Sequence, residues 1–247
     1  MRLTSRLLLL SAVVVLTAVP AAAQNWSERV FISVNGAYQL TTNSFDDRFT
    51  FDLNQETGST DVDYPGDGGF IFDAGGGYRL VKNFGVGASV SYFTHEGTAQ
   101  STSSFPHPFF FNQPREVAGE TGVTRTETAI HIQAMYLWDP AGPVRLVLSG
   151  GPSFFTVEQE IISEVRINES FPFDTATYAS AESRREKGSA PAFNVGADVF
   201  WMFTPQFGAG GLFRFSRASV DLDTADNRTL SVDAGGVYVG GGLRIVF

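Results

Sequence analysis

The stretch 231–247, SVDAGGVYVGGGLRIVF, constrains the fold more than any other part of the chain. Counting back by twos from the end gives Phe247, Ile245, Leu243, Gly241, Val239 and Val237, all apolar or glycine. The intervening set runs Val246, Arg244, Gly242, Gly240, Tyr238 and Gly236. It is small or polar apart from Val246 and the amphipathic Tyr238. A repeat of two residues is the mark of a strand with one apolar face.

The same repeat recurs upstream and yields eight strand segments, at about 30–40, 69–80, 84–95, 123–138, 144–158, 192–203, 207–220 and 231–247. In the third, Phe84, Val86, Ala88, Val90 and Tyr92 alternate with Gly85, Gly87, Ser89, Ser91 and Phe93. The connections differ in length. Those at 81–83, 139–143 and 204–206 are short, and Pro140 and Pro143 cannot extend a ladder. Those at 41–68, 96–122 and 159–189 are long, and 221–230 is intermediate. Within the first long connection, FTFDL reads as an upward continuation of a strand beyond a membrane. Long and short connections alternate, so both chain ends fall on the short-turn side. That is the arrangement of a transmembrane barrel with short periplasmic turns and longer extracellular loops.

Residues 1–23 read as a cleaved secretory signal. Arg2 and Arg6 form its basic start, Leu7 to Val19 its apolar core, and Ala21-Ala22-Ala23 its cleavage site. The run is too short for a membrane helix, which needs about 20 apolar residues. The expected barrel domain is therefore 24–247, a size that suits one domain. With no cysteine in the chain, neither a disulfide nor a lipidated cysteine is available. The formal charge is −9, and beyond the signal Lys82 and Lys187 are the only lysines, which argues against nucleic acid as a partner. No pattern calls for a metal or a cofactor. Asp221 and Asp223 fall short of a calcium loop, because Ala225 and the missing loop glycine break it.

Alternation alone does not say which face is outside, since a soluble eight-stranded barrel turns its apolar face inward around a ligand. The polar set here is glycine, serine, asparagine and single charges, not the mixture of lysine and glutamate of a solvated exterior. Aromatic residues gather where membrane girdles would lie, with Phe84, Trp138, Phe203, Phe207 and Phe247 at one end. Together with the terminal aromatic and the apolar residues two and four before it, the chain resembles the small eight-stranded bacterial outer-membrane family (OmpA-like transmembrane domains, OmpX-like and OmpW-like proteins). The resemblance implies an all-β fold, an eight-stranded antiparallel transmembrane β-barrel in the bacterial outer membrane. It implies outer-membrane lipids, lipopolysaccharide and the barrel-assembly machinery as partners, with Leu243, Ile245 and Phe247 as the assembly signal.

Four sets of residues are candidates for function. Asp73, Arg79, Glu127, His131, Arg145, Asp198, Arg214 and Arg244 share the polar parity and are expected to pair into a charged plug of the lumen. The other reading of the same residues is an ion path or gated pore. Phe105, Phe109, Phe110 and Phe111 make an apolar cluster in a loop, either an adhesion or hydrophobic-ligand surface, or rings that fold over the barrel mouth or rest among lipopolysaccharide acyl chains. Acidic residues crowd the first and last loops, from Asp46 to Asp67 and from Asp221 to Asp226, and read as solvated surface. His95, His107 and His131 lack a serine and an acid at an evident spacing for catalysis. The leading expectation is a non-enzymatic envelope protein with a structural or adhesive surface role. A narrow channel for small or hydrophobic solutes comes second and a lipid A-modifying enzyme third.

Overall fold

The computed structural model describes residues 29–40, 43–140, 142–224 and 228–247. The expected signal, 1–23, and Ala225 and Asp226 of the last loop lie outside the described residues. The strands are β1 (Val30–Gln39), β2 (Phe45–Leu53), β3 (Glu56–Tyr64), β4 (Gly69–Val81), β5 (Phe84–Phe105), β6 (Arg115–Trp138), β7 (Val144–Glu169), β8 (Ala176–Met202), β9 (Phe207–Asp223) and β10 (Thr229–Val246). All belong to one antiparallel sheet. Setting aside the β2–β3 hairpin, the other eight strands close on themselves, each beside its neighbour in the chain. The seam joins first to last: Phe31 lies opposite Val246 and Gln39 opposite Tyr238. Beyond it, the Phe247 backbone N–H donates to the Val30 carbonyl at 2.8 Å.

The apolar parity faces out. Val34, Phe72, Val90, Ile132, Val199, Phe213, Val239 and Leu243 are all exposed, whereas Asn35, Asp73, Ser89, His131, Asn194, Arg214 and Arg244 are buried. A soluble barrel built round an apolar interior is thereby excluded. Exposed Tyr38, Phe70, Tyr92, Phe154 and Phe193 edge this belt on one side, and exposed Phe84, Trp138, Phe203, Phe207 and Phe247 on the other. The even strand number, antiparallel meander, apolar belt and aromatic girdles are the architecture of a bacterial outer-membrane barrel.

The regions read as long loops at 96–122 and 159–189 are mostly strand. The β5–β6 ladder runs from Phe84 opposite Tyr136 to Phe105 opposite Arg115. The β7–β8 ladder runs from Val144 opposite Trp201 to Glu169 opposite Ala176. β6, β7 and β8 contain 24, 26 and 27 residues, over twice the 9–11 that cross a bilayer. The sheet therefore continues past the membrane. β2 and β3 complete this upper storey: FTFDL lies in β2, and β3 pairs with β5 from Ser59–Ser104 to Asp63–Gln100. Asn54 and Gln55, both at positive φ, make their tight turn.

In the upper storey the core is apolar, built from Val62, Ala99, Val117, Val157, Ile162, Val220 and Leu222 with their neighbours. At the short-turn end, Phe31, Met135, Leu137, Val147, Phe200, Met202 and Val246 form a second cluster inside the barrel. Glycines make room for it. A Cβ at Gly77 would stand 2.5 Å from the Phe31 ring, and one at Gly87 2.1 Å from the Met135 methyl.

Candidate functional site

The polar parity fills the membrane-level lumen with three connected groups. The first carries formal charge and runs across the barrel. Arg214 on β9 donates to Asp73 on β4 at 2.7 Å, to Ser89 at 2.9 Å and to the Tyr238 hydroxyl at 2.8 Å. Asp73 also accepts from the Asn35 amide at 2.9 Å, and the Asn35 oxygen accepts from Arg244 at 2.6 Å. Arg244 in turn pairs with Asp198 on β8 at 2.6 Å. Two guanidinium groups and two carboxylates thus form one chain of hydrogen bonds. Each charge has an opposite charge in contact, which is what removal from water requires. Arg244 is fully buried and lies over the Phe200 ring, so the charged group rests on the apolar cluster below it.

The second group joins β5 to β8. His131 contacts Ser91 through Nε2 at 3.0 Å and Ser153 through Nδ1 at 2.7 Å. Asn194 donates to Ser153 and accepts from Gln133, both at 2.8 Å. The third lies higher. Arg125 pairs with Glu127 at 2.8 Å, and the Glu127 carboxylate accepts from the Gly235 N–H at 2.8 Å. Gly235 has φ +81°, and a Cβ there would stand 2.6 Å from the Ser216 carbonyl oxygen. Glycine alone presents its N–H inward at this position without strain.

The eight residues read as one lumen network therefore divide. Asp73, Asp198, Arg214 and Arg244 belong to the charged group, Glu127 to the upper one and His131 to the amide–hydroxyl one. Arg79 and Arg145 sit apart, at the short-turn rim, where both meet Asp139, at 2.6 Å and 3.3 Å. In the sequence Asp139 reads only as the start of the short turn 139–143. Arg125, Tyr238, Asn35 and Asn194 are further partners; the first, second and last share the parity of a named residue on their own strand, whereas β1, which carries Asn35, holds no named residue.

At the opposite end, the β5–β6 and β7–β8 turns are tied together. Arg115 donates to the Pro106 carbonyl at 3.0 Å and to that of Phe173 at 3.2 Å, and pairs with Glu169. His107 is buried here, and its Nδ1 accepts from the N–H groups of Phe109 and Phe110 at 3.1 and 3.2 Å. Phe109, Phe110, Phe111 and Phe171 are exposed, and Phe109 and Phe171 each meet Phe173 edge-on. Phe105 does not join this patch, and that part of the reading is corrected. It is the last residue of β5, faces inward, and packs against Phe51 within the upper core. The other part of the patch, Phe171 and Phe173, comes from the second turn, and no local pattern brings the two turns together.

Leu243 and Phe247 are exposed on the outer face of β10 and Ile245 lies between them, partly covered. Below the upper storey's turns, Tyr64 on β3 accepts from the Ile162 N–H at 2.8 Å. Burial pushes its ionisation up, so this hydroxyl stays protonated. On the outer surface the Lys187 ammonium, hydrogen-bonded at 2.8 Å, holds the Glu158 carboxyl below its ordinary range. Among the described residues no group of three or more His, Asp or Glu converges to hold a metal. His95 and His107 each lie near an aspartate, at 3.8 Å from Asp67 and 3.7 Å from Asp174, which is too long for a hydrogen bond.

No protein-family model matches the chain, and no curated protein matches it. Among solved structures it is similar to Neisserial surface protein A, with 11% identity over 88% of this chain and 97% of that one, at a TM-score of 0.47. It is similar to the outer membrane protein OprG from Pseudomonas aeruginosa, with 11% identity over 90% and 97% at 0.46. It is also similar to the outer membrane protease OmpT from Escherichia coli, with 8% identity over 92% and 99% at 0.49. The fold assignment rests on this chain's own pairing and burial. A barrel fold by itself decides neither for nor against catalysis.

Proposed function

We propose that this chain is a non-enzymatic protein of the bacterial outer membrane that acts at its cell-surface end, in envelope integrity and adhesion, with its lumen closed by the charge-paired plug. The observation that carries this reading is the depth of the filling. Leu137, Phe200, Arg244, His131, Tyr238 and Phe93 are each fully buried inside the barrel, at successive levels from the short-turn rim upward. Eight strands enclose an interior that side chains can fill, and here large ones do. The hydroxyls on His131 lie within that filling, away from any lipid or surface substrate. What remains accessible is the far end, where Arg115 and His107 hold the exposed phenylalanines on a braced support.

The reading includes export by the signal 1–23, folding by an assembly machinery that engages Leu243, Ile245 and Phe247, and contact of the outer rim with lipopolysaccharide. Planar-bilayer recording of the purified barrel tests the plug. The expected result is no conductance above baseline, and steady single-channel steps would replace this reading with the narrow channel. Joint replacement of Phe109, Phe110 and Phe111 by serine tests the surface role. Cell-surface hydrophobicity and attachment are expected to fall, and unchanged values would remove the tip from the proposal.

A further inference from the structure

A cavity of about 570 Å³ opens in the upper storey between β2, the β7–β8 hairpin and the end of β9. It belongs neither to the plug nor to the aromatic tip. Phe49, Phe51 and Phe105 line one side, and Ile161, Ile162 and Val165 the other. Ile161 and Ile162 are adjacent in the chain, yet both are buried. The β7–β8 register shifts between Ile162 and Glu164, and the Ile162 N–H turns to the Tyr64 hydroxyl. The irregularity brings two large apolar side chains to one wall where a regular strand would bring one.

The volume falls within the roughly 300–1,000 Å³ usual for small-molecule sites, and unfilled space in a core costs stability. The cavity wall also carries charge. Arg228 lies over the Phe49 ring and pairs with Asp47, and Glu164 pairs with Arg166 outside. Arg184 and Glu186 enter from β8, and among the described residues neither is in an ion pair. Two guanidinium groups and two carboxylates border the space; Arg228 and Glu164 are already paired, so among the described residues Arg184 is the lining guanidinium left in no ion pair, at the exposed edge beside Glu186.

We propose that this cavity binds a small amphipathic molecule, with its alkyl chain against Phe49, Phe105, Ile161 and Ile162 and an anionic head at Arg184. The apolar core and plug beneath make it a site of capture at the cell surface, not an entrance to a passage. It stands independently of the adhesive role proposed above.

The test uses the full barrel in lipid nanodiscs, with empty nanodiscs as reference, titrated calorimetrically with decanoate, decanol and decylamine. Decanoate is expected to bind saturably above the reference and more tightly than decylamine. Ser163→Trp, at the exposed rim, should abolish binding of decanoate and decanol alike. Arg184→Glu should weaken decanoate about threefold to tenfold, the range of a reversed surface charge contact, and leave decanol unchanged. Heat-modifiable gel mobility checks that both variants remain folded; both positions are exposed, so it should match the parent. No saturable decanoate binding, or decanoate binding unmoved by either variant, would overturn the site. Preference for decylamine would overturn the assigned head group.

Discussion

The lower and upper halves of this barrel use the same strands and the same parity with opposite chemistry. On β6 the inward residues are Glu127, His131 and Gln133 at membrane level, but Val117 and Val123 above it. The outward residues change from Ile130, Ile132 and Trp138 to Glu116, Glu120 and Thr124. β9 makes the same exchange: Arg214 and Ser216 give way inward to Val220 and Leu222, and Phe213 outward to Arg217 and Asp221. The backbone does not register the switch, because pairing depends on hydrogen bonds that both halves make equally. The solvent does. Hydrocarbon outside forces polar groups inward to partner one another, and water outside restores the ordinary arrangement of an apolar core.

The largest expected effect compares two ion pairs, one in each half. Asp198→Ala leaves Arg244 buried without its carboxylate and should cost about 3–5 kcal/mol in urea unfolding from lipid vesicles. Lys187→Ala removes the exposed pair with Glu158 and should leave the unfolding midpoint unchanged. Equal losses would break the comparison. Next, arginine at an outward position should discriminate the halves: Val90→Arg should cost about 2–4 kcal/mol and Thr98→Arg within about 0.5 kcal/mol, by the same assay. A tolerated Val90→Arg would place the membrane boundary elsewhere. The smallest effect sharpens the border between them. Gly235→Ala should cost about 1–3 kcal/mol through its positive φ and the Ser216 contact, with faster amide exchange around Glu127.

These halves also explain what the sequence could tell. The membrane-level strands were legible because each carries an unbroken run of large apolar residues at every second position, as in Phe84, Val86, Ala88, Val90 and Tyr92. The continuation of β5 was not, since its inward residues are Gly97, Ala99, Ser101 and Ser103, too small to mark a face. Along β8 above Ala192, the inward-parity residues Ala190, Gly188, Glu186 and Arg184 give no apolar stripe either. The charged lumen residues were visible one by one through parity. Their partners were not, because Arg214 and Asp73 are 141 positions apart and only closure of the ring makes them neighbours. The cavity depends on a register shift, which leaves no local trace, and on the β2–β3 hairpin, of which FTFDL alone shows in the sequence as strand.

The length of β7 past Phe154 has a consequence for reach. From there to Glu169 the strand could raise its tip by at most roughly 35–40 Å along the bilayer normal, at about 3.3 Å per residue and a tilt near 40°. The polar headgroup layer is only about 5–8 Å deep on each side. Phe109 and Phe171 are therefore carried several headgroup depths into the medium, where an approaching surface would meet them before it met the lipid.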